Sequence, residues 1–156
     1  MEELQNGPVF KFSEWPSAQV PRQAAAVYTI WRAEELIYVG MSGRGIKAEG
    51  LDSLPEQGLQ PRGLLTRLNA HASGRRSGDQ FNVYVCDRFI VPALTLEQQA
   101  DIGRGSLSLD QMTKSYVREH LSYRFLVCQD GKTALGIESA VRAGALPAGL
   151  PFLNPL

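Results

Sequence analysis

Two short apolar runs separated by a polar turn constrain the fold of this chain more than any other feature of its sequence. The first run extends from Ala25 to Trp31 and the second from Leu36 to Met41, with Arg32-Ala33-Glu34-Glu35 between them. Both runs are rich in β-branched and aromatic residues. Two such runs on either side of a short polar segment predict a β-hairpin.

The predicted hairpin carries two tyrosines, Tyr28 and Tyr38. Because side chains alternate faces along a strand, a turn centred near Ala33 would place these two tyrosines opposite one another on the same face. Two phenols side by side would form a polar floor, and Gly40 would leave room for the close approach of a backbone. The alternative is an aromatic cross-strand pair that only stabilises the sheet.

The rest of the chain predicts further helices and strands within one domain, for which 156 residues are sufficient. Apolar periodicity predicts a helix over residues 63–73 that ends at Gly74. The other predicted elements are a strand over 81–91, helices over 96–103 and 110–121, a strand over 123–128 and a helix over 133–142, with Asp110 and Thr133 as caps. We interpret residues 1–24 as an N-terminal arm and the Gly- and Pro-rich residues 42–62 as an insertion.

The charge balance of the chain disfavours one class of protein. Sixteen basic and 16 acidic residues give a formal net charge of zero, whereas tight non-specific binding of DNA depends on many neutralised phosphates. A local basic groove remains compatible with this balance. Only four of the 16 basic residues are lysines, and arginine is the side chain whose planar fork suits bidentate contact with a phosphate.

The cysteines and the N-terminus predict the compartment. Cys86 and Cys128 have no partner at metal-ligand spacing, so neither a disulfide framework nor a zinc site is predicted, and a reducing cytosol is the default. The acidic N-terminus lacks the pattern of a signal peptide, and no apolar run approaches the roughly 18 residues that span a bilayer. The sequence therefore predicts a cytoplasmic protein.

Candidate functional side chains also occur on and after the first predicted helix. Arg67 and His71 are four residues apart, so they project from one helix face; Arg67 could stabilise charge on a phosphate and His71 could transfer a proton. Arg75 and Arg76 follow in a Gly- and Ser-rich turn suited to contacts with a nucleic-acid backbone. A solvated helix face and a plain surface turn are the alternatives.

The last predicted helix carries a carboxylate within its apolar stripe. Ala134, Ile137, Glu138 and Val141 follow the spacing of a buried helix face, and a charged group there is costly unless it is paired or binds a metal. An ion pair of Glu138 with Arg142 is the alternative. Asn154, near the end of the chain, could be a site residue or a turn residue before proline.

The order and spacing of these residues resemble the GIY-YIG nuclease superfamily. The resemblance covers residues 25–156 and is most specific around Tyr28 and in the segment Ile37-Tyr38-Val39-Gly40-Met41-Ser42. Three features depart from the family pattern. Ala26 stands where the family usually has glycine, Met41 stands where many members have lysine, and the interval between Tyr38 and Arg67 is longer than in compact members.

The resemblance implies an α/β (α+β) fold with a small, mainly antiparallel three-stranded sheet flanked by helices. It also implies a metal-dependent nuclease in which Glu138 holds one Mg²⁺ or Mn²⁺ ion that polarises the scissile phosphate. Tyr28 would then be the general base, and Arg67 would neutralise the transition state. Tyr38 and His71 would orient phosphate or water, Asn154 would brace the site, and the nucleic acid would contact Gly40, Ser42, Arg44, Arg75 and Arg76.

Three hypotheses follow from the sequence. The first is an endonuclease that acts on nucleic acid, with DNA favoured, and that takes its specificity from residues 42–62, the N-terminal arm, a homodimer or a partner protein. The second is a GIY-YIG-like binding module without turnover, which Met41 and the zero net charge favour. The third is an unrelated small α/β enzyme in which Tyr28 and Tyr38 only pack the sheet.

Overall fold

The hairpin is present in the computed structural model, which describes residues 1–47 and 63–154. Its strands are β2 (Ala25–Arg32) and β3 (Glu35–Ser42). A register shift after Ile30 pairs Tyr28 with Gly40 and Ile30 with Tyr38. The prediction that the two tyrosines lie directly opposite one another is therefore wrong: they share a face as diagonal neighbours, because a β-bulge displaces the register that the turn alone would set.

The hairpin is joined by strands β1 (Phe10–Lys11) and β4 (Leu121–Cys128). Strand β4 pairs antiparallel with β2 over its whole length, and β1 pairs antiparallel with β4. The sheet therefore has four strands among the described residues, in the order β1-β4-β2-β3. The predicted α+β class is confirmed, and the predicted count of three strands is wrong. The fourth strand is β1, whose two residues are too few to show an alternating pattern in the sequence.

Helices cover both faces of the sheet. In chain order they are α1 (Glu2–Asn6), α2 (Leu64–Ser73), α3 (Gln80–Val85), α4 (Leu96–Arg104), α5 (Leu109–His120) and α6 (Gly131–Arg142). The predicted helix over 63–73 is confirmed, and Gly74 ends it in the left-handed conformation at φ 70°. The predicted N-caps of the last two helices are wrong: Ser108 caps α5 and Asp130 caps α6, since each side chain lies where it can accept from an orphan amide of the first turn.

The predicted strand over 81–91 is also wrong. Helix α3 occupies its first half and continues as a π-helical turn over Cys86–Ile90. The buried side chains Phe81, Val85 and Ile90 recur at helical rather than alternating spacing. A β-branched and aromatic composition suggested a strand here, and the packing of one helical face against the core overrides that propensity.

The sheet separates two hydrophobic cores. One face contributes Tyr28 and Ile30 to a core that includes Leu64 and Leu68 of α2. The other face contributes Val27 and Val39 to a core closed by α6. Residues 1–24, interpreted from the sequence as an N-terminal arm, contribute the buried side chains of Leu4, Phe12, Trp15 and Val20 to these two cores.

Part of the sequence interpretation lies outside the described residues. Residues 48–62, most of the predicted insertion, and Pro155, which the turn interpretation of Asn154 invoked, belong to that part of the chain. Of the helices that the structure describes, none combines the length and the apolar character needed to cross a membrane.

A candidate active site on one face of the hairpin

Tyr28 and Tyr38 form the floor of the candidate site. Their ring centroids are 6.4 Å apart; Tyr28 is buried, whereas Tyr38 is half-buried. A Cβ atom at position 40 would overlap the Tyr28 hydroxyl. Gly40, predicted from the sequence to admit a nucleic-acid backbone, therefore admits the phenol of its cross-strand partner.

A buried hydrogen-bonded chain starts at the Tyr28 hydroxyl. Tyr28 Oη lies 2.8 Å from His71 Nε2, and His71 Nδ1 lies 2.7 Å from Asp79 Oδ2. His71 comes from α2 and Asp79 caps α3, so three separate elements meet at this chain. All three side chains are buried, so solvent does not compete for their hydrogen bonds.

The partners of Asp79 define the direction of each hydrogen bond. Its carboxylate accepts from the backbone N–H of Phe81 and from Nδ2 of Asn82, and neither group can do anything but donate. Asp79 therefore acts as an acceptor, and His71 donates to it through Nδ1–H. The Nε2 atom of a neutral His71 is then an acceptor, to which Tyr28 donates its O–H.

The environment favours this neutral form of His71. Burial lowers the pKa of His71, and the Arg67 cation acts in the same direction, whereas the hydrogen bond to Asp79 opposes both. Because burial is the largest of these effects, the imidazole is uncharged at neutral pH. A neutral imidazole can accept a proton, so the site contains a built-in proton acceptor beside Tyr28.

Both tyrosines hold their protons tightly. Burial raises the pKa of Tyr28 well above its ordinary value. Burial also raises the pKa of Tyr38 to about 12. In each case the positive charge of Arg67 lowers the pKa and the negative charge of Glu138 raises it. The charges of Arg67 on α2 and of Glu138 on α6 therefore both act on the two phenols, with opposite sign.

Glu138 differs from Asp79 in its exposure and in its lack of hydrogen-bond partners among the described residues. It is half-buried on α6, and it forms no hydrogen bond or ion pair with any residue that the structure describes. Arg142, which the alternative interpretation paired with Glu138, donates its Nε–H to the carbonyl of Asn154. Within residues 1–47 and 63–154, no group of three or more His, Cys, Asp and Glu side chains is arranged to hold a metal ion.

Asn154 fastens the edge of the sheet beside Tyr38. Its amide forms a two-point contact with the backbone of Val39, donating to the carbonyl at 2.7 Å and accepting from the N–H at 3.1 Å. The backbone amides of Phe152 and Leu153 donate to the carbonyls of Leu36 and Ile37. Asn154 thus supports the strand that carries Tyr38, and its contact with the site runs through the backbone.

The residues predicted to bind nucleic acid divide into two groups. The Ser42 hydroxyl is buried and donates to the Ala24 carbonyl, and Arg76 donates to Asp110 at 2.7 Å. The Ser42 side chain therefore serves the fold, whereas Arg76 is held by Asp110 with 38% of its side chain still exposed. Arg44 and Arg75 are exposed, as is Arg67, and these guanidinium groups are accessible to a phosphate.

Sequence reasoning missed Asp79 and Asn82. Asp79 stands two residues before Phe81, the start of the apolar run that the composition suggested was a strand. Had that run been interpreted as a helix, Asp79 would have been recognised as its N-cap. Its proximity to His71 required the tertiary fold.

Comparisons with protein-family models, curated proteins and solved structures found no match for this chain. The likeness to GIY-YIG nucleases therefore rests on the order and spacing of the residues described above.

Proposed function

We propose that this protein is a metal-dependent nuclease of the GIY-YIG type that hydrolyses phosphodiester bonds of nucleic acid, with DNA favoured as the substrate. The proposal is supported by the contacts among Tyr28, Tyr38 and His71 and by the charges of Arg67 and Glu138, which act on both phenols. These side chains come from β2, β3, α2 and α6, and they include the acid–base, cationic and metal-ligating groups that phosphodiester hydrolysis requires.

The donor set fits a divalent cation. Mg²⁺ prefers oxygen ligands and keeps several of its waters, so one protein carboxylate can hold it. Glu138 supplies that carboxylate, and its lack of a described partner leaves both oxygens available for a cation. A bound Mg²⁺ or Mn²⁺ would polarise the phosphate and stabilise the leaving 3′ oxygen.

Tyr28 is the proposed general base, and its protonated state at neutral pH shapes its role. A phenol with a raised pKa can take a proton from water only if its own proton leaves at the same time. His71 Nε2, 2.8 Å from the phenol oxygen, is positioned to take it. Arg67 supplies positive charge for the transition state, and Tyr38 orients the phosphate or the water.

A binding module without turnover is the second candidate function. Met41 stands where many GIY-YIG members have lysine, and the net charge is zero. This candidate predicts retained binding of nucleic acid or protein with no cleavage under any metal.

The test of the proposed function is a cleavage panel of duplex, single-stranded and branched DNA and of RNA. Each substrate is incubated with the full chain in Mg²⁺, in Mn²⁺ or in excess EDTA, beside Glu138→Ala. Cleavage that needs the metal, leaves 5′ phosphate and 3′ hydroxyl ends and disappears in Glu138→Ala is the expected result. Binding without cleavage across the panel would favour the second candidate instead.

A further inference from the structure

We propose that Asp79 is a positioning residue that fixes His71 in the one tautomer able to receive the Tyr28 proton. This inference rests on the proposed function for its catalytic meaning, although the tautomer itself is a property of the protein alone. It adds to the site a residue that sequence reasoning missed.

The position of Asp79 is fixed by three hydrogen bonds in addition to its place at the start of α3. Oδ1 accepts from the Phe81 amide at 3.2 Å, and Oδ2 accepts from Asn82 Nδ2 at 3.1 Å and from His71 Nδ1 at 2.7 Å. Asn82 Nδ2 also lies 3.1 Å from the carbonyl oxygen of Ala70 and 3.2 Å from that of Arg75, so its two N–H groups are shared among three acceptors that orient the amide. The carboxylate is therefore held from the helix on one side and from the preceding turn on the other.

The orientation of His71 follows from this arrangement. A carboxylate that already accepts two N–H groups accepts the third from Nδ1, so the proton of the neutral imidazole resides on Nδ1. The lone pair of Nε2 then faces the Tyr28 hydroxyl. The ring has little freedom to turn away, because Phe81 packs against it with ring centroids 4.5 Å apart.

The opposite tautomer would block the relay. With a proton on Nε2, the imidazole would donate to Tyr28 Oη and could not accept the phenolic proton. In the proposed step, the water oxygen bonds to phosphorus while its proton passes to Tyr28 Oη, and the Tyr28 proton passes to His71 Nε2. The bond from phosphorus to the 3′ oxygen breaks with its electron pair on that oxygen, which takes a proton from solvent to become the 3′ hydroxyl. The imidazolium keeps Nδ1–H against the Asp79 carboxylate, which stabilises its charge, and later releases its Nε2 proton to solvent.

Asp79→Asn is the informative substitution, because asparagine is also a good N-cap. Its Oδ1 can still accept from the Phe81 amide, and its Nδ2 then faces His71 Nδ1. A donor at that position requires Nδ1 to accept, which moves the imidazole proton to Nε2. The variant is therefore expected to reverse the tautomer. It also loses the hydrogen bond from Asn82 Nδ2, which shares Oδ2 with His71, so its unfolding temperature should be lower than that of wild type. Asp110→Asn, which removes a carboxylate from the ion pair with Arg76, is the matched control.

The test is a ¹⁵N NMR measurement of the histidine side chains in the full-length protein, combined with cleavage kinetics. Wild type and Asp110→Asn are expected to show His71 protonated at Nδ1, and Asp79→Asn to show it protonated at Nε2. The cleavage kcat of Asp79→Asn should fall by on the order of 10²- to 10⁴-fold with little change in KM, as expected when a catalytic imidazole is held in the wrong tautomer.

The outcomes separate the two proposals. Protonation at Nε2 in wild type, or an unchanged tautomer and kcat in Asp79→Asn, would overturn the positioning role. If Asp79→Asn unfolds, the wild-type spectrum alone still decides the tautomer. Protonation at Nδ1 in a wild-type protein that cleaves nothing in the substrate panel would support the positioning by Asp79 and overturn the proposed nuclease function.

Discussion

The two carboxylates of the site have opposite surroundings. Asp79 is buried and accepts three hydrogen bonds, whereas Glu138 is half-buried and has no partner among the described residues. A buried carboxylate whose two oxygens both accept hydrogen bonds is stabilised and held in place. A carboxylate near the surface without a partner is available for a ligand. We call Asp79–His71–Tyr28 the closed side of the site and Glu138 with Arg67 the open side. In the proposed mechanism the closed side accepts the proton of the attacking water, and the open side meets the metal and the phosphate.

Tyr28→Phe, on the closed side, is expected to have the largest effect on stability and cleavage rate. The variant leaves the buried Nε2 of His71 without its donor, which should lower the free energy of unfolding by about 1–3 kcal/mol. Loss of the general base should lower the cleavage rate by roughly 10²- to 10⁴-fold. Chemical denaturation and single-turnover cleavage measure the two effects.

Tyr123→Phe is the control for that substitution, because Tyr123 is as deeply buried as Tyr28 and lies outside the site. It should cleave at the wild-type rate. A Tyr28→Phe protein that loses stability and keeps full activity would instead favour the hypothesis that the tyrosines only pack the sheet.

On the open side, Arg67→Ala should separate activity from stability. Arg67 is exposed, and surface substitutions usually change the free energy of unfolding by less than about 0.5 kcal/mol. Loss of a charge that stabilises the transition state should lower the cleavage rate by about 10²- to 10³-fold. Arg104→Ala, at an exposed arginine on α4, should leave the rate unchanged. Equal activity of the two variants would remove Arg67 from the site.

The smallest expected effect is a pH dependence of the free energy of unfolding that arises from His71 on the closed side. Because the pKa of His71 in the folded protein is lowered, the unfolded chain binds more protons below about pH 6.5. Stability should therefore rise with pH between the folded pKa of His71 and about pH 6.5, and it is lost as the pH falls through that window. Unfolding free energies measured at a series of pH values test this.

The chain has two histidines, so a matched pair of variants is available. His71→Gln should abolish the pH dependence near pH 6, and His120→Gln, at the exposed end of α5, should retain it. The same dependence in both variants would contradict the assignment to His71.

At the alkaline end the raised pKa values of Tyr28 and Tyr38 have the opposite sign, so stability should fall as the pH rises above about 10.

The open side of the site was the more predictable from sequence. Glu138 stood out as a carboxylate in an apolar helical stripe, and Arg67 lies on a helix that the apolar period and Gly74 predict. The hairpin was equally visible, since β-branched runs flank its turn. These features are local, because one element contains all the residues that define each of them.

The features that were missed depend on contacts between distant elements. A β-bulge in the hairpin pairs Tyr28 with Gly40, and no pattern in the sequence marks its position. The apolar run after Asp79 has the composition of a strand, and it becomes a helix because Phe81 and Val85 pack into the core. The contact between Asp79 and His71 follows only once α3 is placed against α2.

Single-turnover cleavage by Glu138→Gln in saturating Mg²⁺ tests whether Glu138 holds a metal that cleavage requires, with the unfolding temperature measured on the same samples. Glutamine preserves the size of the side chain and removes the charge that would hold the metal. Loss of metal stabilisation amounting to several kcal/mol corresponds to a rate lower by about 10³-fold, and the unfolding temperature should match that of wild type. Glu97→Gln, at an exposed glutamate of α4, should behave as wild type in both measurements. A Glu138→Gln protein that cleaves at the wild-type rate would contradict the assignment of Glu138 as the metal ligand.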